Sequence, residues 1–347
     1  MTSVPIVSID PASPDDALVS SVAKRLRQGA LVAIPTETVY GLGVNAFDTE
    51  AIEAVFVAKG RPSSDPLIVH VDSIEMARSL VDGELSNLAV ALAEAFWPGP
   101  LTMILPKHAD VPDSVTSGGS TVGIRMPAHP VVAALITAAG VPVAAPSANR
   151  FGRISPTTAR HVSDELGDRI DLIVDGGACE HGVESTVVSV ADDAITVLRH
   201  GAITMDQLAA FAAVRDATSG SSGSRQAAPG HAVRHYSPGC VTLASTTAPI
   251  EPFDGRAVFA GLGDTGSLPT GWTAHRLGSR TNLEAVAHRL YDNLRRIDEA
   301  SPDLLVVELT GQAGLGRAID DRLTRAASGQ VAHTDDELVG LIARVCG

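Results

Sequence analysis

Cysteine is scarce: only Cys179, Cys240 and Cys346 occur in 347 residues. They lie too far apart to form a CxxC pair or a zinc-type cluster, so neither disulfides nor a structural zinc organises this chain. The thiols read as buried or incidental groups. Lysine is equally rare, with Lys24, Lys59 and Lys107 against 23 arginines, so a lysine inside a motif carries information. Positive charge as a whole is in deficit. Against 40 Asp+Glu stand 26 Lys+Arg, a net charge of −14, divided as −10 up to Pro238 and −4 beyond it. Broad binding to nucleic acid or to an anionic membrane needs cationic surface to neutralise phosphates, so no stable nucleic-acid complex is expected. Long hydrophobic runs are missing too. The longest apolar stretch, 131–145, is interrupted by Gly140 and Pro142, and the N-terminus has no basic region followed by an apolar run. The expectation is a cytoplasmic protein with no membrane partner. No GxxxxGK[ST] sequence occurs, which removes the P-loop nucleotide hydrolases.

Apolar residues make up 45% and charged residues 19% of the chain, the balance of a folded globular protein. At about 150 residues per domain the length suggests two domains. Periodicity disappears between Arg215 and Val233, where Gly, Ser and Ala dominate, and this stretch reads as a flexible linker. Upstream, Val- and Ile-rich runs at 31–34, 67–71, 101–105, 122–126, 141–145, 172–174 and 187–190 read as strands. Helical patterns at 15–28, 50–59 and 85–96 alternate with them and stop at Gly29, Gly60 and Pro98. The alternation predicts an α/β fold with a mixed sheet. Downstream, strands at 241–244, 257–260 and 304–307 and helices at 283–299, 315–327 and 336–345 predict a smaller α/β domain. The expected boundaries are 1–214, a linker over 215–238, and 239–347. A GxGxxG sequence at 261–266 follows a strand, but Ser267-Leu-Pro269 comes next instead of a helix, so it reads as a turn and not as a dinucleotide site.

Four segments carry chemistry. In PTETVYGLG (35–43) an apolar strand runs into a hydroxyl-rich turn, the kind of strand-end loop at which α/β proteins bind ligands. Lys59-Gly60-Arg61 ends a helix and combines two cations with a hinge, a geometry suited to a polyphosphate, where charge-assisted bonds contribute about 1.5–3 kcal/mol each. Arg125 ends an apolar strand and needs an anionic partner, either a structural carboxylate or the carboxylate of a bound amino acid. In APSAN (145–149), Ser147 and Asn149 alternate along an extended chain, and a helix start near Ser155 or Thr157 favours an anion.

PTETVYGLG, KGR with PLIVH (66–70), FWPGPLT (96–102), TVGIRMP (121–127), APSAN with SPT (155–157), GVEST (182–186) and LRHG (198–201) follow one another in an order that resembles the YrdC-like family of L-threonylcarbamoyladenylate synthases. The resemblance spans residues 17–211, and HYSP (235–238) and GLGRAIDDRL (314–323) are similar to the linker and second domain of the two-domain, yeast-type form. It implies a twisted mixed sheet with flanking helices, a linker acting as a lid, and a Rossmann-like C-terminal domain. The implied reaction is nucleotidyl transfer: L-threonine, bicarbonate and ATP give threonylcarbamoyl-AMP and diphosphate. A downstream tRNA threonylcarbamoyltransferase machinery then modifies the adenosine beside the anticodon. The resemblance makes Lys59 and Arg61 catalytic and lines a threonine pocket with Thr38, His70, Arg125, Ala145 and Ser185. It assigns Arg61, Asp65, Thr121, Ser147, Asn149, Ser155, Arg199 and Tyr236 to ATP, with Mg²⁺ accompanying the nucleotide. Departures from the family pattern are His231-Ala-Val233 before the HY pair, Asp321 before Arg322-Leu323, and Phe151 after SAN. The alternative is a non-catalytic RNA-binding module of the same family, against which the acidic first domain weighs.

Overall fold

A computed structural model describes residues 4–191, 193–218 and 235–346. The chain divides into two compact units, one of Met1–Phe151 with Ser155–His231 and one of Gly152–Ile154 with Ala232–Gly347.

The first unit is built on a sheet of eleven strands. In spatial order they are Ile6–Ser8, Leu172–Asp175, Val32–Ile34, Gly41–Asn45, Val143–Ala144, Ile68–His70, Thr121–Arg125, Leu101–Pro106, Thr186–Val190, Ala194–Arg199 and Ala213–Asp216. Parallel and antiparallel pairs mix, as the alternation of motifs predicted. Several strands are apolar on both faces because helices cover them. The helix Asp16–Arg27 buries Val19, Val22 and Leu26 in a cluster with Val131, Val132 and Leu135 of the helix Pro130–Ala139.

Two strands depart from the sequence reading. Gly41–Asn45, expected as a turn, is a strand paired antiparallel with Val32–Ile34 and with Val143–Ala144. Its glycines are there for space. A Cβ on Gly43 would lie 3.0 Å from both Ile34 and Val143 side chains, and one on Gly41 would lie 3.1 Å from Ala145. Arg215 and Asp216, expected to open the linker, instead continue the sheet through parallel pairing with Thr196 and Val197. Of the expected linker, 215–238, the stretch 219–234 lies outside the described residues.

The second unit has five parallel strands in the order Trp272–Gly278, Ala257–Leu262, Leu304–Glu308, Val241–Ser245 and Val331–Ala332. The GxGxxG segment leads to the strand Trp272–Gly278 and opens no helix, as its sequence context required. Among the described residues no helix is long and apolar enough to cross a membrane.

Candidate active site

The helix Thr49–Lys59 is started by the Asp48 side chain, which accepts from the Ala51 N–H at 3.0 Å, and is stopped by Gly60 at φ 63°. That left-handed turn costs L-residues about 1–2 kcal/mol, which is why glycine stands there. It folds the chain back so that the Arg61 N–H meets the Phe56 carbonyl at 3.0 Å. Lys59 is thereby delivered, 2% exposed, into the interior. Its ammonium donates to the Ser147 carbonyl at 2.5 Å and also to the Asn149 carbonyl. Burial, with the nearby Arg61 charge adding to it, pushes the Lys59 amine well below its ordinary pKa. An ammonium has three donors, so one is left for a ligand.

The Ser147–Asn149 loop is laced to the PTETVYGLG segment as well. Leu42 N–H donates to Pro146 O at 2.7 Å, Ala148 N–H to Tyr40 O at 2.8 Å, and Phe151 N–H to Lys59 O at 2.8 Å. Three motifs that lie far apart in the chain thus form one framework. Arg61 is committed to Asp65 through an ion pair of 2.9 Å, and it also donates to the carbonyls of Asp65 and Pro66. The KGR cations therefore meet the site already bonded, and neither is a free point charge.

His70 and Arg125 sit opposite each other at the ends of two parallel strands. Arg125 is 4% exposed and pairs with Glu37, Nη2 to Oε1, at 2.6 Å. This contact is short but not aligned as a hydrogen bond. Burial opposes charge on Glu37, but the charge and closeness of Arg125 outweigh it and hold the carboxyl below its usual range. Burial, aided by the Arg125 charge, lowers the His70 pKa to about 3, so the imidazole is neutral. Its Nδ1, Glu37 Oε2 and Arg125 Nη2 are all buried without a hydrogen-bond partner among the described residues. Thr38 shares a hydroxyl–hydroxyl contact of 2.9 Å with Thr36, and the Ala145 N–H donates to Ile68 O beside the His70 strand.

A third cluster joins the two expected pockets. Arg199, expected at ATP, donates to both the carbonyl and the hydroxyl of Ser185, expected at threonine, each at 3.1 Å. Thr102 completes it, 2.8 Å from the Ser185 hydroxyl. Ser155 donates to Glu184 at 2.6 Å, so this hydroxyl serves a buried carboxylate; the helix expected to start near Ser155 or Thr157 is Ala159–Leu166, capped by Thr158, whose side chain accepts from the His161 N–H. Thr121 lies at the far end of the strand Thr121–Arg125, roughly 13 Å along it from Arg125. Tyr236 belongs to the second unit. There its ring is 1% exposed, stacks on Tyr291 at 5.6 Å, meets His235 edge-on at 4.0 Å, and lies under the Arg322 guanidinium at 5.5 Å. Glu37, Thr102 and Glu184 are residues that the sequence reading missed. Each is a polar residue inside a quoted motif whose burial only the fold reveals.

A family model covering the Sua5, YciO and YrdC proteins, described as "Telomere recombination", matches residues 24–201. The chain belongs to this family. A second model, described as the C-terminal domain of threonylcarbamoyl-AMP synthase, matches residues 203–328. The threonylcarbamoyl-AMP synthase of Bacillus subtilis is 41% identical over 334 residues, covering 93% of this chain and 96% of the relative. That of Pyrococcus abyssi is 38% identical over 315 residues, covering 87% and 92%. The crystal structure of P. abyssi Sua5 complexed with L-threonine superposes with a TM-score of 0.84 at 34% identity, covering 95% of this chain and 99% of that one.

Proposed function

We propose that this chain is a threonylcarbamoyl-AMP synthase, which joins L-threonine, bicarbonate and ATP into threonylcarbamoyl-AMP and diphosphate. The observation that carries the reading is the match to threonylcarbamoyl-AMP synthases over nearly the whole length, through both units. This family background favours catalysis over the RNA-binding alternative.

The chemistry asks for positioning more than for a protein nucleophile. Threonine's free amine adds to carbon dioxide, which bicarbonate yields by losing hydroxide; the nitrogen gives up a proton, so that water is the by-product, and the carbamate oxygen attacks the α-phosphorus while diphosphate leaves. Arg125 suits the threonine carboxylate, since a planar guanidinium grips a carboxylate through two hydrogen bonds. Neutral His70, with its unpartnered Nδ1, suits the threonine hydroxyl, and Thr38, Ala145 and Ser185 would shape the remainder of that pocket. Lys59 would hold the Ser147–Asn149 loop with two donors and offer the third to the nucleotide's phosphates. Arg61, with Asp65 as its counter-ion, would meet the same phosphates, and Thr121, Ser155 and Arg199 complete the ATP set in this unit. Because Arg199 bonds to Ser185, carbamate and α-phosphate would meet across that contact. Among the described residues no cluster of three or more metal-ligating side chains occurs. Mg²⁺ would enter as part of the ATP substrate, held chiefly by phosphate oxygens and water. The product's route onward, to tRNA-modifying transferases in the cytoplasm, is part of the same proposal.

The test is diphosphate release from ATP, bicarbonate and Mg²⁺ with L-threonine, L-serine, L-valine or no amino acid, with the labile adenylate identified by mass spectrometry. Release that requires both threonine and bicarbonate is the expected result. Folded, ATP-binding protein without threonine-dependent release would overturn the reading.

A further inference from the structure

Glu37 is a buried acid, 3% exposed, in the loop between the strands Val32–Ile34 and Gly41–Asn45. One carboxylate oxygen faces Arg125 at 2.6 Å and the Glu37 and Ala128 amides lie near the carboxylate, but neither oxygen receives an aligned hydrogen bond from any described residue. A buried carboxylate whose bonds are poorly aligned is left with acceptor capacity that an entering donor can use. The loop itself is well tied, because the Thr36 hydroxyl donates to Val39 O at 2.7 Å and the His181 N–H donates to Glu37 O at 2.8 Å. Glu37 therefore cannot turn outward to find water without breaking that framework.

Glu37 and Arg125 place a carboxylate and a guanidinium side by side in the interior. An α-amino acid zwitterion carries the opposite pair, a carboxylate and an ammonium, on adjacent atoms. We propose that Glu37 is a specificity-determining residue of the amino-acid pocket, its Oε2 accepting a hydrogen bond from the substrate's α-ammonium while Arg125 takes the α-carboxylate. The proposal rests on the threonine reading of this pocket. It explains why an unaligned ion pair is kept in the interior: each partner has a donor or acceptor reserved for the substrate. Glu37 stays a carboxylate, since Arg125 favours its anion, so it holds the ammonium as the zwitterion enters, and the amine adds to carbon dioxide only after that proton has left. Its contribution is therefore to binding, and it falls on the Michaelis constant for threonine more than on turnover.

The test compares two ligands on the full-length protein by calorimetry: L-threonine and (2S,3R)-2,3-dihydroxybutanoate, in which a hydroxyl replaces the amino group. Wild-type protein should prefer L-threonine by about tenfold or more, because the hydroxyl of the analogue still donates but lacks the positive charge that a buried carboxylate favours. Glu37→Gln should weaken threonine by about ten- to a hundredfold, leave the hydroxy acid within about threefold, and leave the KM for ATP unchanged, so that the preference collapses. Glu37→Asp, which retains a carboxylate, should keep the preference. Equal losses for both ligands in Glu37→Gln would mean that Glu37 acts only by holding Arg125, and would overturn the proposal. So would a wild-type preference below threefold, a result that needs no variant to fold. Folded wild-type protein that binds ATP but neither ligand would overturn the threonine reading itself.

Discussion

The buried charges of the first unit are kept by partners that differ in kind. Lys59 satisfies two backbone carbonyls, and a neutral replacement leaves those acceptors buried and unmet. Lys59→Ala should therefore lose roughly 1–3 kcal/mol of stability and lower the rate by about 10²–10³ through the lost phosphate contact. Denaturant melting and diphosphate release measure the two effects separately, and a rate near wild type in folded Lys59→Ala would remove Lys59 from catalysis. His70 gives the stability a pH dependence. Its pKa is about 3 folded against an ordinary 6.5, so below pH 6.5 the unfolded chain takes up a proton that the folded chain refuses. Stability is present in full above pH 6.5 and falls as pH drops toward 3, by up to roughly 1 kcal/mol per pH unit. Glu37, whose carboxyl is also lowered, adds to the loss only below its ordinary value of 4.5. Between pH 6.5 and 4.5 the slope belongs to histidine, His129 being lowered by burial as well as His70, and His70→Asn should reduce it in urea melts taken across that window. An unchanged slope would exclude His70 as its source.

At the scale of elements, two glycines do different work. Gly60 supplies a left-handed turn that ends a helix, and this was legible because Lys59-Gly60-Arg61 follows an apolar helical pattern. Gly43 supplies clearance inside a sheet, which was not legible, because its φ is ordinary and the crowding comes from Ile34 and from Val143 a hundred residues away. Gly43→Ala should cost roughly 1–3 kcal/mol by overpacking and displace the strand that Pro146 and Ser147 pair with. A melting temperature equal to wild type would show that the sheet absorbs the methyl group. The same crowding explains why a turn was expected where a strand stands. Two glycines and a run of hydroxyl side chains are loop signals by propensity, and pairing on both edges overrides them.

At the scale of the whole chain, two units with separate cores carry one set of motifs. The second unit closes around Tyr236, with Tyr291 stacked on one side and Arg322 over the ring. Tyr236→Ala should therefore lower this unit's stability by roughly 3–5 kcal/mol. Tyr236→Phe keeps the packing and removes only the hydroxyl. A raised KM for ATP in the phenylalanine variant, with unchanged melting, would support the ATP contact that the family resemblance assigns. Equal kinetics in a stable Tyr236→Phe would leave this tyrosine as an anchor of the second unit. Asp321, an unusual residue at its position in the motif, pairs with both Arg322 and Arg325 at 2.9 Å, so its charge is used locally.

The alternation of strand and helix, the two-part organisation and the motif order with its cations were all properties of the sequence, because each depends on residues near one another or on their spacing. The choice of Lys59, Arg125 and Ser147 as candidates needed no coordinates for the same reason. What the tertiary structure decided is which partners those residues meet. Lys59 is bonded to carbonyls 88 and 90 residues away, and Arg125 is paired with Glu37 across the sheet. Burial and pairing are sums over contacts from distant parts of the chain. Those contacts turned a glutamate in a hydroxyl-rich turn into a buried, half-partnered acid, and no local pattern could have announced it.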